Sequence, residues 1–139
     1  MFYSIGYERI TIKGLLRIIR QKKIDRIIDV RSAPYARHPD KYEFNRNQMR
    51  VMLGEWYLWK GDILGGKYGP ASEEGILWLI ELPPWPGFLL MCVEYDPRKC
   101  HRYYDISKRL LHAGIDVIHL YGPEEILTSK LIQEGINVR

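Results

Sequence analysis

The run Phe-Leu-Leu-Met-Cys-Val at residues 88–93 constrains the fold more than any other feature of the chain. Six successive apolar side chains cannot alternate between core and water, so a strand here must be covered on both faces. Such a strand belongs inside a parallel sheet, between helical layers. The flanking residues agree. Asp96-Pro97 supplies an N-cap and a first-turn proline, and the helix so begun runs to Gly114, a suitable C-cap. Residues 115–120 read as another strand, followed by Pro123 and a last helix carrying Ile126, Leu127 and Leu131. Upstream, residues 2–5 form a short strand ending at Gly6-Tyr7, and Thr11 caps a helix whose Ile12, Leu15, Leu16 and Ile19 recur at helical spacing. Residues 24–30 read as a buried strand, and 32–44, with Pro34 and Pro39, as a loop. Asn45 caps a helix with Met49, Met52 and Leu53 on one face; residues 56–59 suit a short strand. A glycine-rich loop over 61–70 precedes a helix over 73–82 that Pro83-Pro84 stops. This alternation predicts an α/β fold: a single three-layer domain over residues 1–139, with a mostly parallel four- to five-stranded sheet flanked by helices.

A chain of 139 residues that is 46% hydrophobic can bury a core without disulfides or a metal. With 27% charged residues it has an ordinary globular composition, which excludes disordered and fibrous classes. No apolar run approaches the roughly 18 residues that span a membrane. The first residues lack the pattern of a secretion signal, and two cysteines do not make a secreted disulfide framework. The expectation is a cytoplasmic protein. Abundant Ile, Tyr, Trp and Arg with scarce Gln and Asn lean toward a thermophilic source. The net charge of +4 favours anionic ligands slightly, but short basic pairs such as Lys22-Lys23 are interspersed with acids, as on a solvated surface.

Ligands of open α/β sheets bind beyond the carboxyl ends of the strands. That points to residues 6–9, 29–37, 92–102 and 121–122. Asp29 and Arg31 flank Val30 and project to one side, either as a structural ion pair or with the acid orienting the arginine toward a ligand. Arg31 with Arg37 suits a bidentate clamp on a carboxylate or phosphate. Cys92 and Glu94 share a side of the central strand, where a carboxylate either meets an arginine such as Arg31 or acquires a raised pKa suited to acid–base work. Cys100 falls in the first turn of the predicted helix, where the dipole favours a thiolate. Consecutive helical residues lie about 100° apart. Around a buried stripe of Tyr103, Ile106 and Leu110, Cys100 and Arg102 then lie on the margins and His101 points nearly opposite, which ranks His101 below both.

Three specific chemistries can be weighed. Cys92 and Arg98 match the Cys-x5-Arg spacing of a phosphatase cradle, but Glu94, Asp96 and Pro97 would repel phosphate and remove a donor. A zinc site from Cys92, Cys100 and His101 lacks any close pair such as Cys-x2-Cys, so no metal is expected. The two cysteines otherwise pair as a disulfide or are buried as small hydrophobes. Leu64-Gly65-Gly66-Lys67 lacks the spacing of a phosphate loop and reads as irregular backbone near the pocket, with Lys67 a ligand or a surface charge. His119, in an apolar strand, reads as a hydrogen-bonded core histidine.

Together these segments resemble the family known as domain of unknown function 488. The resemblance rests on residues 4–11 (SIGYERIT), 28–34 (IDVRSAP) with Arg37, 64–67 (LGGK), 91–97 (MCVEYDP) with Cys100-His101-Arg102, and 114–119. These pieces occur in the family's order and cover almost the whole chain. The resemblance implies an α/β fold and a shared polar set of Tyr7, Asp29, Arg31, Arg37, Cys92, Glu94, Cys100, His101 and Arg102, without an established reaction; it also raises His101 to a candidate. The short stretch between the Gly-Gly loop and the central strand implies a pocket less covered than in larger relatives. The leading expectation is an enzyme, of hydrolase or transferase type, acting on a small anionic ligand, nucleotide-like or phosphorylated. Arg31, Arg37 and Arg102 would hold the anion, with Tyr7, Gly65, Gly66 and Lys67 lining the site. Glu94 would be the acid or base, Cys100 or Cys92 the nucleophile or activated thiol, and Asp29 would orient an arginine. The alternatives are a nucleic-acid-binding accessory protein and a redox-sensitive interaction module. The sequence names no cofactor and leaves homo-oligomerisation open.

Overall fold

A computed structural model describes residues 1–84 and 86–137. Its centre is a six-stranded sheet in the order β3-β2-β4-β1-β5-β6. The strands are β1 (Phe2–Gly6), β2 (Ile24–Asp29), β3 (Tyr57–Trp59), β4 (Gly87–Cys92), β5 (Ile118–Tyr121) and β6 (Glu124–Leu127). The first five in that order run parallel, and β6 returns antiparallel to β5. The apolar run from Phe88 to Cys92 lies in β4, which is buried at all six of its positions and paired with β1 on one edge and β2 on the other; Val93, the last residue of the run, falls just past the strand and is half-buried.

Two cores lie on the two faces of the sheet. On one, Leu15 of α1 (Ile12–Gln21) and Met49 and Leu53 of α2 (Arg46–Leu53) pack with Leu89 and Met91. On the other, Leu64 of α3 (Gly61–Leu64), Ile76 and Leu79 of α4 (Glu73–Ile80) and Leu110 of α5 (Lys108–His112) pack with Phe88, Leu90 and Cys92. The chain therefore leaves β1 and β2 toward the first face but leaves β4, which lies between them, toward the second. Diverging connections at the carboxyl ends of neighbouring strands open a crevice. Here the crevice sits over the end of β4.

The structure corrects several local expectations. The segment holding Ile126 and Leu127 is β6, not helix, because Gly122 (φ 60°) and Pro123 form a tight two-residue turn that folds it back on β5. The last helix, α6, begins at Thr128 (Thr128–Asn137). The sheet thus has one strand more than expected. Asn45 precedes α2 but its side chain accepts from Ala36 N–H instead of capping, and Met52 faces solvent. The loops at 32–44 and 61–70 contain a 3-10 turn, Pro39–Phe44, and α3 respectively. Asp96 caps only a 3-10 turn, Pro97–Lys99. Cys100 is then extended (φ −130°, ψ 142°), and helix resumes at His101 and passes through a π-helical segment, Arg102–Ser107, into α5. The cap at Thr11, which accepts from Gly14 N–H, and the stop at Gly114 (φ 87°) stand as expected.

Candidate active site at the end of the central strand

The break in helix at Cys100 decides the site. With Cys100 extended and His101 helical (φ −61°, ψ −21°), the two side chains turn to the same place instead of diverging by a helical step. His101 Nδ1 lies 3.8 Å from Cys92 Sγ and 3.9 Å from Cys100 Sγ. Its Nε2 lies 3.1 Å from both Val30 O and Leu64 O. Two carbonyls can only accept, so Nε2 carries a proton, and the ring turns its Nδ1 edge toward the two sulfurs. The low rank the helical wheel assigned to His101 is thereby overturned, as is the placement of Cys100 in a first helical turn. Both cysteines are buried free thiols, and the three donor atoms lie within 4.8 Å of one another.

The thiols differ in character. A hydrogen bond to Cys100, burial, and the nearby charges of Cys100 and Glu94 push the Cys92 thiol up. The same bond from Cys92, with His101 and Arg102, holds Cys100 well below an ordinary thiol despite its burial. Burial opposes charge on His101, but the bond and charge of Cys100 and the two carbonyls outweigh it and raise its pKa.

Arg102 is fully buried and has no carboxylate partner among the described residues. Its Nε donates to Ser4 Oγ at 3.1 Å and its Nη1 to Glu94 O at 2.8 Å, while Nη2 has no partner. Ser4 in turn meets His119 Nδ1, His119 Nε2 lies 2.8 Å from Thr128 Oγ1, and Thr128 donates to Val117 O. The directions close without conflict only if His119 is neutral, with its proton on Nε2. Desolvation and the charge of Arg102 push its pKa down to about 3. His119 is the hydrogen-bonded core histidine expected.

Arg31 and Asp29 project on the opposite side of the sheet, into the α2 core. Arg31 Nε and Nη2 donate to the two oxygens of Asp29 at 2.9 and 2.7 Å, and Nη2 also reaches Phe44 O. Tyr57 OH donates to the same carboxylate, and Arg31 lies over the Tyr7 ring, 5.1 Å from its centroid. Burial, then Asp29, raises the Tyr57 pKa; burial also raises that of Tyr7, against the pull of Arg31. Of the two readings of Asp29, the structural ion pair is the one formed. Arg31 and Arg102 are both buried and hydrogen-bonded within the fold, each keeps one unpartnered Nη nitrogen, and Arg31 lines the smaller of the two clefts over β4. Arg98 pairs with Asp96 at 3.0 Å, away from Cys92, so the phosphatase-like cradle does not form.

Two adjoining clefts open over the end of β4. One, of about 280 Å³, is lined by Cys92, Cys100, His101, Gly66, Lys67, Lys99 and Tyr104 among others. The second, of about 720 Å³, is lined by Tyr7, Tyr35, Arg37, His38 and Lys41 among others. Ala33, Val93 and Glu94 line both. Glu94 Oε2 is buried without a hydrogen-bond partner, and burial, then the charge of Cys100, raises its pKa. Gly66 presses on the imidazole: a Cβ there would lie 2.8 Å from His101 Cγ. Gly65 is packed on Ser32, whose hydroxyl accepts from Lys67 N–H.

No family model, curated protein or solved structure matches the chain. The site is therefore read from its own chemistry. It contains more than the sequence pointed to. Ser4 begins the 4–11 piece of the resemblance but was given no role, and Tyr57 and Tyr104 carried no motif; only their places beside strand ends could have suggested them. Lys99 was hidden in a segment read as regular helix.

Proposed function

We propose that the protein is an enzyme acting on a small anionic substrate, nucleotide-like or phosphorylated, bound across the two clefts at the end of β4. The observation that carries this is Glu94. It lines both clefts, and one carboxylate oxygen lacks any partner while facing the Cys92–Cys100–His101 group. A half-buried, unsatisfied carboxylate at a topological switch point is an acid–base group awaiting a substrate. Arg37, Lys67 and Lys99 are exposed cations around the clefts that would hold the anion together with Arg31, which lines the smaller cleft, and Arg102 behind it. Tyr35 and Tyr104, 57% and 54% exposed, offer ring faces on which a base stacks, which favours a nucleotide over a bare sugar phosphate.

The test is thermal-shift binding with nucleotides and sugar phosphates, paired with their uncharged counterparts, followed by turnover of whatever binds. Arg37→Ala with Lys67→Ala should abolish the shift, and Glu94→Gln should keep the shift but lose turnover. Binding indifferent to the cations, or turnover indifferent to Glu94→Gln, rejects the reading. Tyr68, 91% exposed beside Lys67, favours a second reading as a single-strand nucleic-acid binder. That reading requires oligonucleotide affinity that falls steeply with salt and ignores Glu94→Gln.

A further inference from the structure

We propose that Cys92 Sγ, Cys100 Sγ and His101 Nδ1 form a site for a soft divalent cation, zinc by its donor set. The inference rests on the enzyme reading above and deepens it: the thiols become ligands of the reactive centre. The geometry is the first support. Zinc bonds of about 2.3 Å to sulfur and 2.1 Å to nitrogen, in a tetrahedron, place sulfur and nitrogen roughly 3.6 Å apart. The two S···N separations here are 3.8 and 3.9 Å. All three donor atoms fall within 4.8 Å of each other, so a small inward movement closes the site.

The surroundings are the second support. A metal-bound histidine commonly donates its other N–H to a carbonyl or carboxylate, which fixes tautomer and ring plane. His101 does this twice, through Val30 O and Leu64 O, and so holds its Nδ1 edge toward the sulfurs. The three ligands come from a strand end, an extended residue and a helix start, so the framework sets their positions before any ion arrives.

Charge is the third. Two thiolates and a neutral imidazole neutralise a dication, so the loaded site adds no net charge to its largely buried surroundings. Two sulfurs and one nitrogen select zinc over magnesium or calcium. Three protein ligands leave a fourth position, toward the cleft that Glu94 also lines, which is the arrangement of catalytic rather than structural zinc.

The experiment uses the full chain, reduced and freed of metal with a chelator. Adding Zn²⁺ should slow alkylation of both Cys92 and Cys100 about tenfold or more, whereas Mg²⁺ should not. Adding Co²⁺ should bring up thiolate-to-metal charge transfer and the intense visible bands of a tetrahedral ion, saturating at one ion per chain. Cys92→Ser, Cys100→Ser and His101→Ala should each lose those bands, and Glu94→Gln should keep them. Because protection is read on the unmodified chain, a variant that fails to fold does not blunt the test. Alkylation rates unchanged by Zn²⁺ in folded, reduced protein overturn the proposal, as do cobalt bands that survive in Cys92→Ser. If Zn²⁺ gives no protection while Glu94→Gln still abolishes turnover, the metal site falls and the enzyme reading stands. If Zn²⁺ protects but turnover ignores Glu94→Gln, the metal site stands and the assigned role of Glu94 falls.

Discussion

Two glycines show how differently one methyl group acts at the end of β4. At Gly66, in the loop after α3, an added Cβ would lie 2.8 Å from the His101 ring, a side chain rather than backbone. Gly66→Ala should therefore turn the imidazole and weaken Zn²⁺ binding roughly 10–100-fold, the cost of disturbing a ligand's support, with little change in unfolding free energy. Competition with a zinc indicator and urea denaturation measure the two effects separately. At Gly6 the Cβ would lie 1.7 Å from Glu94 O, a backbone atom that also accepts from Arg102. Gly6→Ala must push apart two chain segments, and should cost about 4 kcal/mol or prevent folding, as urea unfolding would show. The position of His101 illustrates what periodicity cannot convey. Asp96-Pro97 is a sound helix start, but the turn it begins lasts three residues, and the extended Cys100 resets the phase. The wheel drawn from Asp96 was sound geometry applied to a helix that begins later.

At the scale of elements, β2 and β3 are tied by the buried Asp29 as much as by their ladder. Its carboxylate takes Arg31 N–H as well as the guanidinium, and the Tyr57 hydroxyl reaches it from the neighbouring strand. Removing one member of a buried ion pair strands the other, so Asp29→Ala should destabilise by about 3–5 kcal/mol, read from a shift of the urea midpoint at constant slope. Tyr57→Phe should cost about 1 kcal/mol, since Asp29 keeps its other donors. A double variant, Asp29→Ala with Arg31→Met, should recover part of the loss by removing the uncompensated cation. That the two residues share a side was legible from strand alternation. Their partners were not, because Tyr57 and the Phe44 carbonyl arrive from elements whose order in the sheet no local pattern encodes. The same holds for β6: Glu124 and Glu125 look like the first turn of a helix, and only pairing with β5 makes them strand.

Across the whole molecule, acid should find its weak point at His119. The chain of bonds from Arg102 through Ser4, His119 and Thr128 joins the helix after Cys100 to β1, β5 and α6, and it requires a neutral ring. The folded pKa is about 3 against an ordinary 6.5, so the unfolded state binds the extra proton between those values. The contribution of His119 is complete above pH 6.5 and is lost as pH falls, by about 2 kcal/mol at pH 5. His119→Gln should be less stable at pH 7 yet lose less between pH 7 and 5, measured by urea unfolding at each pH. The order of strands carries a different consequence, for synthesis. β1 and β2 never touch; the slot between them waits for β4, which is encoded only after residue 86. A nascent chain emerging from the ribosome must therefore hold β1 apart from the paired β2 and β3 until β4 and the residues after it appear, and the groups of the crevice come together only then. Ribosome-bound chains truncated before β4 should remain protease-sensitive, and those extended past β5 should not.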